Sequence, residues 1–418
     1  MTVYLLQPVD TQFYRSSLPF DAGTDGYADS DPFPRPRTVY GAFRALGLAR
    51  KKVSLDLRDA GEDFPFDPVW GDRRGPGDLF LRGPFLYRKS AHGSFWLLLS
   101  PPADLVVEKK GAEPKVHHCL PLEKKDLASC SDLPSSAGLF PAGFPEGKTV
   151  MAKAAADCLL PSGDLPRASN LAGYLCGRLT GKTKTAVLFS REEALILESR
   201  VGVMRESGTH RAEEGMLYAT RHCRFKGCPG GEEWGFWVEL SRKDGSAPPL
   251  DEDGVLKLGG EGRCAAFRAA GSDESLGIDW TGSLREAVAE AVAASGGRFK
   301  LYLLTPGLFG GAFHPFEEDE KGAFLDTGAG RARLVSVALA GRVPVGGWDI
   351  QKRFPKPLED AAPEGTVYFL RLEEWPEDAA EGRRRAEAVF DEYNFRSLCS
   401  GACEKEGFGL TLVGGWHV

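Results

Sequence analysis

The hexapeptide Val3-Tyr4-Leu5-Leu6-Gln7-Pro8 returns as Leu301-Tyr302-Leu303-Leu304-Thr305-Pro306, 298 residues later. Each copy is a short apolar run stopped by proline, the pattern of a buried strand. A chain that begins the same way twice reads as two units in tandem. The second copy also starts where a new unit should, just after a terminated helix. Ser283-Leu284-Arg285-Glu286 has the form of a capping box. Leu284, Val288 and Val292 then make an apolar stripe, and Gly296-Gly297 is a helix stop. With 418 residues the chain has room for two or three domains and a large core. The division is expected at 1–297 and 298–418.

The second unit reads as strand 299–305, strand 333–340, strand 366–372, a helix over 379–395 with Ala386, Val389 and Tyr393 on its stripe, and a last strand over 409–416. That order fits most of a β-α-β-β-α-β unit. The expected fold is therefore α+β: two tandem ferredoxin-like (RRM-like) domains, with large insertions in the first. In the first unit, Val3 to Gln7 is a strand and Thr38 is the expected N-cap of a helix carrying Val39, Phe43 and Leu46. Phe95–Ser100, Leu105–Glu108, Gly235–Leu240 and Val255–Leu258 read as strands. Ile196–Met204 and Gly215–Phe225 read as a hairpin with a polar tip, Arg205–Glu214. The rest of 53–190 is punctuated by Pro and Gly and reads as irregular insertions.

Net charge is −7, which argues against a protein that coats nucleic acid without selectivity but leaves room for one basic face. Nine scattered cysteines without a repeated spacing point to reduced thiols and a cytoplasmic setting. The N-terminus lacks the form of a signal peptide, and no apolar window approaches a membrane span.

Catalytic and metal signatures are weak. Gly177-Arg178-Leu179-Thr180-Gly181-Lys182-Thr183 fails the phosphate-loop spacing because Cys176 stands where the first glycine belongs, so it reads as a helix end and turn. His117-His118-Cys119, His222-Cys223 with Cys228, and Cys399 with Cys403 lack the paired spacings of a zinc site. No nucleophile elbow occurs. His210, beside Arg211 in the hairpin tip, is the one candidate for acid–base cleavage of RNA without metal, set against the simpler reading of an exposed loop histidine. No cofactor is expected.

Basic and aromatic residues on glycine-rich backbone remain, the combination that single-stranded RNA recognition needs. From Asp31 to Lys52 there are six Arg or Lys against one acid, around a helix N-terminus. Tyr14-Arg15, the arginines of the 200–226 hairpin, and Lys352-Arg353-Phe354-Pro355-Lys356 are further patches. Gly401 to Trp416 holds five glycines in sixteen residues, between a helical run and the last strand. Such a loop either presents backbone N–H groups to a phosphate or makes a tight connection that packs against the first domain.

The order of motifs resembles the Cas5-like Cmr subunits of type III-B CRISPR effector complexes, among the repeat-associated RAMP proteins. The residues that carry this are Arg15 to Phe20, Thr38-Val39-Tyr40-Gly41-Ala42-Phe43-Arg44, Glu198-Ser199-Arg200-Val201-Gly202-Val203, Glu214 to Tyr218, and Leu258-Gly259-Gly260-Glu261-Gly262-Arg263. They continue with Leu304-Thr305-Pro306, Gly346-Gly347-Trp348-Asp349, Pro363 to Phe369, and Gly407-Phe408-Gly409 through Gly414-Gly415-Trp416. The resemblance implies a non-catalytic subunit that holds the 5′ handle of the CRISPR RNA. Its neighbours would be the large palm-domain subunit and the first backbone RAMP subunit, with target RNA engaged indirectly. It makes the 196–226 hairpin thumb-like. The resemblance points to the glycine loop and the Gly41–Arg44 helix start; with the basic patches, the expected RNA-binding residues are Arg15, Arg35, Arg37, Tyr40, Gly41, Arg44, Arg200, Arg205, Lys352, Arg353, Gly407, Phe408 and Gly409. The alternative is a RAMP endoribonuclease acting through a residue such as His210.

Overall fold

The computed structural model describes residues 1–16, 27–51, 66–72, 75–108, 115–121, 142–143, 152–154, 158–161, 171–177, 189–205, 208–209, 211–227, 230–274, 282–349 and 354–417. Strand β1 (Thr2–Pro8) lies inside an antiparallel sheet and is buried on both faces. Tyr4 and Leu6 face helix α1 (Pro36–Arg50), where the Tyr4 and Phe43 rings lie 5.8 Å apart. Leu5 points the other way, into a core shared with the second half of the chain. Two-faced burial explains why the strand is a continuous apolar run rather than an alternating one.

Helix α1 starts earlier than its sequence suggests. The N-cap is Arg35, Pro36 occupies the first turn, and Thr38 is already helical. Proline suits that position because its missing N–H would have no partner there. Neighbours of β1 in the sheet are β6 (Glu233–Arg242) and β8 (Cys264–Ala269). Beyond β6 come β2 (Leu79–Lys89) and β3 (Phe95–Leu99), and β7 (Asp253–Lys257) closes the other edge. Strand β2 has 11 residues and falls in the stretch expected to be irregular. Gly83-Pro84 hides it. Arg82 pairs with Glu239 and Phe85 with Trp237, so Gly83 and Pro84 bulge opposite Val238, a place where a strand tolerates proline. Between β3 and β6 the expected hairpin is present, as β4 (Leu195–Arg205) paired with β5 (Ala212–Phe225).

The second sheet is built on β9 (Arg298–Leu303), the repeat of the β1 motif. Its neighbours are β12 (Val367–Leu372) and β13 (Leu410–Gly415). Strands β11 (Gly330–Ala338) and β10 (Gly322–Thr327) continue the sheet beyond β12. Counting only the four central strands, both sheets run fourth, first, third, second: β8-β1-β6-β2 and β13-β9-β12-β11. The two similar hexapeptides thus hold the same place in two sheets.

Helices α3 (Ser283–Ala294) and α4 (Ala379–Tyr393) pack against one another over the second sheet. Although α3 falls within 1–297, its Leu284, Val288 and Val292 are buried with Phe299, Leu301 and Val413. The Ser283 capping box does not form; Gly282 is the N-cap and Ser283 is the first helical residue. The stop is as read, with Gly296 and Gly297 at φ +69° and +79°. The fold is α+β, mostly strand.

A buried polar knot fastens the long insertion to the second sheet. Lys300 of β9 sits with its amine 3.3 Å from the ring centre of Tyr174, in α2 (Leu171–Leu175). The same amine lies 4.0 Å from the Asp104 carboxylate. Asp104 accepts from the Tyr174 hydroxyl at 2.9 Å and lies 2.8 Å from His118 Nε2. Burial opposes the Asp104 charge, but His118, Lys300 and the Tyr174 hydroxyl outweigh it and hold the carboxyl below its usual range.

Candidate nucleic-acid interface

The basic window at the start of α1 is turned inward, onto the second half of the chain. Arg35 lies 3.0 Å from Asp31 and 3.4 Å from Glu364, which precedes β12. The Arg37 Nε donates to Glu406 at 2.7 Å and its guanidinium lies 3.6 Å from Glu359. Arg37 also donates to the Gly346 carbonyl at 3.3 Å and lies over the Phe408 ring at 5.4 Å. Burial works against the Arg37 charge, but Glu406 and Glu359 outweigh it, so its pKa is raised. One turn on, Tyr40 is buried with its hydroxyl on the Leu79 carbonyl. Arg44 donates to the carbonyls of Trp70 and Gly75, both at 2.7 Å, and to that of Asp72. Arg44 thus closes the loop after α1. Gly41 alone faces outward, with nothing within 4 Å of where a Cβ would sit.

The glycine stretch also serves the packing. Its first part is a single helical turn, α5 (Gly401–Lys405), which the sequence reading did not foresee. Gly407 has φ +92°, and a Cβ there would lie 2.7 Å from Leu81 Cδ2 of β2. Phe408 is fully buried. Gly409 has φ +70°, and a Cβ would meet Cys399 Sγ at 2.6 Å. Of the two readings of this stretch, the geometry is that of a close approach between the two halves.

What this junction exposes is a short ribbon that it holds in place. Trp348–Asp349 pairs with Phe354–Pro355. Residues opposite one another share a face, so Trp348 and Phe354 lie on opposite faces of the ribbon, 54% and 68% exposed. The ribbon is tied at its root: Arg37 holds the Gly346 carbonyl, and the Lys356 N–H donates to Gly347 at 2.9 Å. The Lys356 amine lies 3.9 Å from Glu406 and stays partly exposed. Lys352 and Arg353 lie outside the described residues. Trp348, Phe354 and Lys356 were not singled out individually, although two large aromatics within nine residues of Lys, Arg and Lys were a readable signal.

The other expected residues lie apart from this junction. Arg15 is exposed and itself bridges to Ser30, and Ala28 of the segment that Ser30 belongs to pairs with Thr220 of β5. Arg200 lies 3.4 Å from Glu198, which Arg224 also holds at 2.6 Å. Arg205 is exposed at the end of β4. His210 lies outside the described residues. Of the metal candidates, His118 is spent on Asp104, and His222 is buried 3.4 Å from Glu261. No cluster of metal-ligating residues occurs among the described residues. Gly177, at φ +67°, ends the turn after α2; residues 178–183 lie outside the described residues.

Fold and surface together define an α+β protein with two large antiparallel sheets, joined through half-buried arginines and presenting an aromatic, basic ribbon at the join. A model of the family described as CRISPR-associated protein (Cas_Cmr3) matches residues 4–416. The chain belongs to that family. No curated protein matches the sequence. Among solved structures, it is similar to a chain of a type III-B Cmr-beta complex bound to cognate target RNA and AMPPnP. The two are 14% identical at a TM-score of 0.40, over 96% of this chain and 97% of that one. A chain of Cmr-beta bound to cognate target RNA gives 15% identity and a TM-score of 0.39, over 88% of this chain and 86% of that one.

Proposed function

We propose that this chain is a non-catalytic, RNA-binding scaffold subunit of a type III-B CRISPR effector complex, acting in the cytoplasm. It holds the 5′ handle of the guide RNA and docks the large palm-domain subunit and the first backbone subunit. Family membership supports the complex. The observation that carries the RNA contact is the ribbon of Trp348–Asp349 and Phe354–Pro355, which offers two exposed rings with the Lys356 cation at its root, while Gly41 leaves a turn of α1 open. In RNA binding the rings stack bases, Lys356 meets phosphate, and the outward face of Gly41 lets a strand approach. The strand order shared by the two sheets supports reading them as ferredoxin-like units, each missing one helix, with β4–β5 as a thumb-like element.

The test is to purify the assembled complex and sequence its RNA, then repeat with Trp348→Ala plus Phe354→Ala. Small RNAs sharing one 5′ end are expected in the first case. A stacked base is worth roughly 1–3 kcal/mol, so the double variant should bind the handle at least tenfold more weakly while folding normally. RNA without a shared end, or a variant that binds as well as the parent, would refute the assignment. Cleavage of a repeat RNA without metal, lost in His210→Ala, would make the protein an endoribonuclease instead.

A further inference from the structure

A cleft of about 120 Å³ opens between the two halves, at the entry to α1. One water needs roughly 10–15 Å³ by the same measure, so a planar heterocycle fits. Phe33, Phe236 and Leu98 line it from the first sheet's side, Thr305 from the second, and Arg35 and Arg191 supply the cations. Arg191 stacks on Phe33 at 5.6 Å, and Phe33 meets Phe236 edge-on at 6.2 Å. The Nε of Arg191 is buried and has no hydrogen-bond partner among the described residues. An unsatisfied buried donor of this kind is costly and is relieved by an acceptor brought in from outside.

Charge decides what kind of acceptor. Arg35 is already held by Asp31 at 3.0 Å and Glu364 at 3.4 Å, and both carboxylates also line the cleft. Two acids against two arginines leave the cleft near neutral, and a phosphate would meet the carboxylates. A neutral, flat ligand with apolar faces and a carbonyl or ring nitrogen at its edge meets no such penalty. We propose that this cleft receives one unstacked nucleobase, whose edge accepts from Arg191. The base belongs to a strand that the ribbon also holds, because Arg35 lines the cleft and Arg37, two residues on, fixes the ribbon. This assignment rests on the RNA-binding reading for its source of the base. A free nucleotide is the other source of the same chemistry.

The experiment is an abasic scan. Single-stranded handle RNAs, each lacking the base at one position, are titrated against the parent chain, Arg191→Ala and Phe33→Leu. One position should lose roughly 5- to 150-fold in affinity on the parent, the worth of one stacked base. At that position alone, removing the base should cost nothing further in Arg191→Ala. Phe33→Leu keeps the wall apolar and should weaken the same position. Calorimetry with AMP, GMP, CMP and UMP forms the second arm, and saturable binding lost in Arg191→Ala identifies a free nucleotide as the occupant. If RNA binds and every abasic position responds alike in parent and Arg191→Ala, the cleft assignment is overturned while RNA binding stands. If a mononucleotide binds through Arg191 and no RNA does, the cleft stands and the RNA-binding reading falls.

Discussion

Gly407→Ala separates a loop that packs from a loop that presents its backbone to a ligand. Gly407 and Gly401 belong to the same stretch, and both have positive φ, +92° and +65°. An alanine in the left-handed region costs roughly 1–2 kcal/mol, so both substitutions carry that penalty. They differ in surroundings. A Cβ at 401 meets nothing within 4 Å, whereas one at 407 lies 2.7 Å from Leu81 Cδ2 and 2.9 Å from the Leu81 carbonyl oxygen. The oxygen belongs to β2 and cannot swing aside as a side chain can. Overpacking of this kind adds roughly 1–3 kcal/mol, so Gly407→Ala should cost about 2–5 kcal/mol and Gly401→Ala about 1–2. Urea unfolding read by tryptophan emission is the assay, with Trp237 and Trp416 buried on the two sides. Adding Leu81→Ala removes the Cδ2 clash but not the oxygen contact, so the pair should lose less than the sum of the single changes. Equal stability losses at 401 and 407, with RNA affinity falling only for Gly407→Ala, would refute the reasoning and return the loop to the ligand.

Two further perturbations follow from the same contacts. Burial pushes the Lys300 amine down to about 8, against the Asp104 attraction that favours the charge. An unfolded lysine holds its proton to about 10.4, so between these values the unfolded chain binds more protons and stability rises with pH. The parent should therefore gain about 2 kcal/mol on Lys300→Met between pH 8 and 10; a pH-independent difference would contradict the buried charge. Arg37→Ala leaves Glu406 mostly buried with the Lys356 amine 3.9 Å away, and should cost about 2–4 kcal/mol. Since Arg37 is committed to protein, Arg37→Ala should weaken RNA binding without changing its salt slope, whereas Lys356→Ala should lower the slope by about 1; a lowered slope in Arg37→Ala would place Arg37 on phosphate.

The elements that sequence made legible are those whose local pattern and tertiary role agree. The repeated hexapeptide is an unbroken apolar run in a strand buried on both faces, the α4 stripe of Ala386, Val389 and Tyr393 keeps the helical period, and the β4–β5 hairpin keeps one register from Leu195–Phe225 to Val203–Leu217. Strand β2 does not, because Gly83-Pro84 breaks its period at a bulge that only the partner strand explains. Ser283 and Glu286 have the right spacing for a capping box, yet the helix takes Gly282 as its cap. Helix α5 is one turn long and starts on a glycine, so it has no periodicity to read. At the candidate interface Phe354 was named within a basic, aromatic patch and Trp348 within a motif, but their exposure on two faces of one ribbon follows from the pairing of 348–349 with 354–355, which no local pattern shows.

The basic window was readable as charge but not as destination. Arginines at a helix start look like an anion site whether the anion is a phosphate or a carboxylate. For Arg35 and Arg37 the distant carboxylates are Glu359, Glu364 and Glu406, more than three hundred residues away in sequence, where no local window can find them. Their consequence for function is positional. Glu406 fixes Arg37, Arg37 fixes Gly346, and Gly346 roots the ribbon that carries Trp348 and Phe354. Any ligand on that ribbon therefore binds to the joined pair of sheets and favours their association by the same free energy with which it binds that state over the separated one.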